Sequence, residues 1–254
     1  MTRDGPVTTL TLDRPDRRNA LSPELMSRLA DAVRDAGRDV GVRVVVLAGA
    51  GPVFSAGADI GWMRTGRDAD EAQNLAEAEA LRDAFETLDT CPKAVVARVQ
   101  GAAIGGGAGL VACADVAVTS DETRFAFAEV RLGILPATIA PYVIRTIGPG
   151  AARALFTSGR RVDAHEALTL GLVHRVAPAD GLDDAVREAV DAFLAGGPQA
   201  IAASKRLIRD ATATLHLPDL GQRITAARMS EEGREGLDAF LEKRPPSWAP
   251  SNDS

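Results

Sequence analysis

Glu129 stands in "FAFAEVRLG" (residues 125–133), with an apolar run before it and another close behind. A glutamate is ordinarily a solvated surface residue. One set among apolar neighbours is a candidate for moving protons, because desolvation tunes its carboxyl. Two segments of small residues could serve such a group. "QGAAIGGGAG" (100–109) places five glycines in its last nine positions, and "FSAGADI" (54–60) is nearly as bare. Each follows an apolar run that reads as a strand. Glycines opening a helix leave backbone N–H groups unpaired at its positive end. That suits an anion, including a negative charge that exists only during reaction. Either loop alone could instead reflect tight packing of strand on helix. The two together favour chemistry.

Other glycine chemistries fail on register. The dinucleotide fingerprint needs glycines at relative positions 1, 3 and 6, but Leu110 and Ala112 fall on the sixth position counted from Gly105 and Gly107. The phosphate loop needs Gly-Lys-Ser/Thr, and there is no lysine between Lys93 and Lys205. No serine sits in Gly-x-Ser-x-Gly. "HEALT" (165–169) lacks the second histidine of a zinc-protease helix, and His165, His174 and His216 are scattered, so no metal site is expected.

The elements that must position these residues follow from pattern. "VTTLTLD" (7–13) reads as a strand, and Ser22 with Pro23 opens a helix running to about Val40. "VRVVVLAG" (42–49) is a continuous apolar strand buried on both faces. A polar helix over about 69–89 precedes the strand "KAVVARV" (93–99). "DVAVTS" (115–120) and "RFAFAE" (124–129) are shorter strands. From Thr138 the pattern turns helical, apart from a strand near "LVHRV" (172–176). Residues 1–196 thus form an α/β core, and 197–254 a helical region.

Composition sets the class. The chain has 254 residues, 46% hydrophobic, a net charge of −6 and 4% aromatics, which disfavours a nucleic-acid groove. Cys91 and Cys113 have no short spacing, so a reducing cytoplasm is expected rather than a disulfide framework. The first residues carry no apolar signal core, and the longest uncharged run, 99–114, is too short for a membrane span.

The motifs together resemble the crotonase superfamily, the enoyl-CoA hydratases and isomerases. "FSAGADI" and "GAAIGGGAGLVACAD" carry the likeness, joined by "RPDRRNALS" (14–22), "FAFAEVRLGILP" (125–136), "ALTLGLVHRV" (167–176) and "FLEKRPPSW" (240–248). The texture is closest to bacterial methylglutaconyl-CoA or isohexenylglutaconyl-CoA hydratases. The resemblance implies a spiral of ββα units with a C-terminal helical region that builds a trimer or dimer of trimers. It implies an acyl-CoA substrate, with coenzyme A part of that substrate and no separate cofactor. It further implies that the N–H groups of Ala56 and Gly106 hold the thioester oxygen and that Glu129 moves the proton. Removing one donor from such a hole costs about 3–4 kcal/mol.

By the same resemblance Arg18, Ala20, Leu21, Asp59 and Ile60 border the coenzyme A. Phe240 and Lys243 reach it from a neighbouring subunit. Trp62, Met63, Leu135, Pro136 and Thr138 wall the acyl pocket. Hydratases of the family usually carry a second glutamate where this chain has Gly109; the methylglutaconyl-CoA type tends to have glycine there, which could make room for a branched substrate. Glu129 alone suffices for an isomerase that shifts a proton between C2 and C4, so both readings stand. A non-catalytic acyl-CoA or RNA-binding module would lack the base or show a basic face, and this chain does neither.

Overall fold

The computed structural model describes residues 1–59, 61–62, 70–213 and 230–248. Its strands, in chain order, are β1 (Thr2–Asp4), β2 (Val7–Leu12), β3 (Val44–Gly49), β4 (Ala94–Val99), β5 (Ala102–Ile104), β6 (Val116–Ser120), β7 (Arg124–Ala126), β8 (Arg161–Asp163) and β9 (Arg175–Ala177). They form a six-stranded sheet in the order β1-β2-β3-β4-β6-β9 and a three-stranded sheet in the order β5-β7-β8. All neighbours in the larger sheet are parallel except β1 and β2. The chain alternates between the sheets: β4 then β5 leads into a helix, and β6 then β7 repeats the step. This is the ββα spiral.

β3 shows why the core has two halves. Every residue of Val44–Gly49 is buried. Alternation sends Val45 and Leu47 against the helices Pro23–Arg38 and Glu71–Asp89, and Val44 and Val46 against the helix Leu182–Leu194. Ser22 caps the first helix, its Oγ accepting from Leu25 N–H at 3.3 Å, with Pro23 at the opening position. Asp70 caps the second in the same manner.

Two expectations are corrected. The strand expected over 124–129 ends at Ala126, and Glu129 instead opens a 3-10 turn, Glu129–Leu132. β7 pairs through three residues only, so nothing holds the chain extended beyond them. The strand near 172–176 lies at Arg175–Ala177, where β6 is available to pair.

The C-terminal helices Pro198–Ala213 and Glu231–Glu242 are tied to the core and to each other. The Arg43 guanidinium donates to the carbonyls of Leu194 (3.1 Å) and Trp248 (2.7 Å). Glu232 accepts from the N–H groups of Gln199 (2.8 Å) and Ala200 (2.7 Å), capping the helix that starts there. Among the described residues no helix is long and apolar enough to cross a membrane.

Candidate active site

Three segments meet at the site: the turn 18–21, the loop 54–59, and the start of the glycine helix, Gly106–Ala112. Arg18 and Asn19 both adopt left-handed backbone, at φ 51° and 53°. Asn19 is fully buried and acts as the knot. Its side-chain amide donates to the carbonyls of Ala50 and Val53 (2.8 Å each), and its Oδ1 accepts from Arg14 N–H at 2.9 Å. Its own carbonyl accepts from Ser55 Oγ at 2.9 Å. Ser55 also pairs with Ala103 of β5, which places the loop 54–59 between the turn and the glycine segment.

The backbone N–H groups of this loop do not all face one way. Ala56 N–H donates to the Arg18 carbonyl at 2.9 Å, so the expected donor is already committed inside the protein. The N–H of Ala58 has no such commitment among the described residues. The Gly57 carbonyl accepts from Leu21 N–H at 2.7 Å. In a trans peptide, C=O and N–H point oppositely, so Ala58 N–H is directed away from Leu21. Gly57 itself packs closely on β5: the Ile104 carbonyl lies 2.9 Å from where a Cβ on Gly57 would be. At φ 91° Gly57 makes this turn of the chain at no steric cost.

Gly106 opens its helix in the same fashion. The Gly105 carbonyl accepts from Gly109 N–H at 3.0 Å along the helix, so Gly106 N–H points out of the helix start. Gly106 packs closely on the turn: a Cβ there would come within 2.9 Å of Leu21 Cδ1, so that side chain would have to shift. Ala20 and Leu21 are both buried, while the Arg18 side chain is exposed.

Glu129 faces this helix start. Its Oε1 lies 2.8 Å from where a Cβ on Gly105 would be. Its Oε2 is buried with no hydrogen-bond partner, and it alone has that status among the described residues. Burial pushes the carboxyl pKa up, offset only in part by the Glu129 backbone N–H. Buried polar atoms normally find partners. A buried carboxylate oxygen without a partner, next to the helix start from which Gly106 N–H points outward, is suited to a group that is not protein.

Gly109 does not provide the room expected of it. A Cβ there would lie 2.8 Å from Ile139 Cβ, closer still to its Cγ2, and 3.2 Å from Phe85 Cε1. Ile139, 1% exposed, fills the volume of the absent side chain. Leu135 is likewise no buried wall: it is 73% exposed, beyond the left-handed turn at Gly133, whereas Pro136 and Thr138 are half-buried.

Asp59 is held by the protein itself. It pairs with Arg14 Nη2 at 2.8 Å and accepts from the N–H groups of Gly61 (2.8 Å) and Trp62 (3.3 Å). Burial would raise its pKa, but the bonds from Trp62, Arg14 and Gly61 outweigh that and hold it below the usual range. Trp62 donates its indole N–H to Glu77 on the helix Glu71–Asp89. Ile60 and Met63 lie outside the described residues. Phe240 is on the helix Glu231–Glu242, and Lys243 follows it, exposed, at φ 55°. Asn19, Ala58 and Ile139 were not foreseen; only Asn19, a residue type tolerant of left-handed turns, left a signal in "RRNA".

The family model for enoyl-CoA hydratase/isomerase matches residues 2–251. The chain belongs to that family. Among its relatives is a Thermus thermophilus protein named provisionally as an enoyl-CoA hydratase, 37% identical over 253 residues, covering 96% of this chain and 98% of that one. A carnitinyl-CoA dehydratase from Citrobacter koseri is 34% identical over 257 residues, with 97% and 96% covered. The crystal structure of an enoyl-CoA hydratase from Shewanella pealeana superposes with a TM-score of 0.93 at 39% identity, covering 97% and 94%. The crotonase architecture of this enoyl-CoA hydratase/isomerase family member accords with such neighbours.

Proposed function

We propose that the protein is an enoyl-CoA hydratase that adds water across the 2,3 double bond of a trans-2-enoyl-CoA. The observation that carries this reading is the unpartnered, buried Oε2 of Glu129 beside the glycine helix. The thioester oxygen sits between the N–H groups of Ala58 and Gly106. Ionised Glu129 takes a proton from water as the water oxygen bonds to C3. The electron pair of the double bond moves to the thioester oxygen as an enolate, held by the two N–H groups. Glu129 then returns the proton to C2. Atoms and charge balance with the thioester, water and Glu129, so no cofactor is invoked.

Coenzyme A lies along the turn 18–21. The C-terminal helix joins copies into a trimer or a dimer of trimers, from which Phe240 and Lys243 of a neighbour approach the nucleotide. Two free, buried cysteines suit a reducing compartment, and we place the protein in the cytoplasm.

One observation favours a second reading. Ile139 leaves no space for a second carboxylate at position 109, and a single base is enough to shift a 3-enoyl-CoA to its 2-enoyl isomer. Incubation with 2-enoyl and 3-enoyl thioesters, with product identification, separates the two. A 3-hydroxyacyl-CoA from the 2-enoyl substrate supports hydration. Turnover of 3-enoyl substrates alone overturns it.

A further inference from the structure

We propose that Ile139 is the specificity-determining residue for the acyl group, setting how much substitution at C3 the site admits. Gly106 and Gly109 are three residues apart on one short helix and so share a face. Phe85 bridges them: its ring lies 3.6 Å from where a Cβ on Gly106 would be and 3.2 Å from one on Gly109. With the thioester oxygen held at Gly106, the acyl carbons run past Gly109, behind which Phe85 and Ile139 are packed almost without exposed area. Gly109 brings no side chain to that surface. Ile139 Cβ and Cγ2 occupy its place instead.

Sequence alone would call this surface widened, since a glycine replaces a larger residue. The structure inverts that conclusion. The volume is delivered by a side chain thirty residues downstream, at the start of the helix Ala140–Ser158. Trimming Ile139 opens a cavity that Gly109, having no Cβ, cannot close off. The wall is apolar throughout, so the group it discriminates is a methyl or larger alkyl branch. A carboxylate there would be desolvated with no cation to pair it.

This inference rests on the acyl-CoA reading, and binding separates the two. Saturated butanoyl-CoA and 3-methylbutanoyl-CoA cannot be hydrated, so their affinities for wild type, Ile139→Ala, Ile139→Val and Leu155→Ala report the pocket without turnover. Leu155 is a similarly buried aliphatic residue beyond the break at Gly148 (φ 75°, ψ 159°) that divides this helical segment. The ratio of branched to straight affinity is expected to rise about tenfold in Ile139→Ala. Ile139→Val moves it the same way by less and keeps the test alive if the alanine variant does not fold. Leu155→Ala leaves the ratio at the wild-type value. An unchanged ratio in both Ile139 variants, or an equal rise in Leu155→Ala, overturns the inference. If wild type binds neither thioester, the acyl-CoA reading itself fails.

Discussion

The Glu129 carboxylate rests directly on Gly105: a Cβ at that glycine would come within 2.8 Å of Oε1. The proposed base and the helix that begins at Gly106 are thus in contact, and the bareness of the helix start is what lets them approach. Gly105 also holds φ 52° and ψ −120°, a backbone region that side chains avoid. Gly105→Ala should cost about 1–3 kcal/mol of stability from strain. By displacing Glu129 it should lower kcat by about 10²-fold. Thermal melts and turnover of the folded fraction check both.

Burial that raises the Glu129 pKa has opposite consequences for activity and stability. As the proposed base Glu129 must be ionised, so kcat/KM should fall as pH drops through that raised value, above the ordinary glutamate range. Between the unfolded and the folded pKa the native state holds the extra proton, and stability declines as pH rises through that window. Glu129→Gln should accordingly be at least as stable as wild type at neutral pH, with the difference vanishing in acid. Paired denaturant melts across pH 4 to 8 read this.

Arg14 and Asp59 join the turn to the loop that carries Ala58. Arg14→Met leaves the Asp59 carboxylate buried with only its two N–H partners, and should cost about 3 kcal/mol. The folded Asp59 pKa is lowered, so the pair stabilises above the usual carboxylate range and that contribution is lost as pH falls through the folded value. Chemical denaturation at neutral and acidic pH should show the gap between variant and wild type closing in acid.

Asn19→Ala removes the donor to two part-buried carbonyls and the acceptor for Arg14 N–H. An orphaned buried group costs about 1–3 kcal/mol and a partly wetted one less, so the variant should melt below wild type. Asn19→Asp, which keeps the acceptor but loses the donors, should fall between them or lower.

How much of this was legible in the sequence differs from residue to residue. Ser22-Pro23 announced its helix, and the unbroken apolar run of β3 announced a strand buried on both faces, because both signals are local. The burial of the Glu129 carboxylate was legible through its apolar neighbours. Ala58 was not: which N–H of "SAGA" points outward depends on the peptide plane set by Gly57 at φ 91°, and spacing says nothing about that. Ile139 was equally silent. Gly109 reads as a missing acid in the sequence, and only the fold brings a residue thirty positions away to fill its place.

The most direct measurement is turnover and acyl-CoA binding by Glu129→Gln, which keeps the side chain's shape, exchanges one acceptor oxygen for an NH2 donor, and cannot take a proton. Loss of kcat by about 10²–10⁴-fold, with butanoyl-CoA affinity unchanged, is the predicted result. Wild-type turnover in that variant would contradict the account.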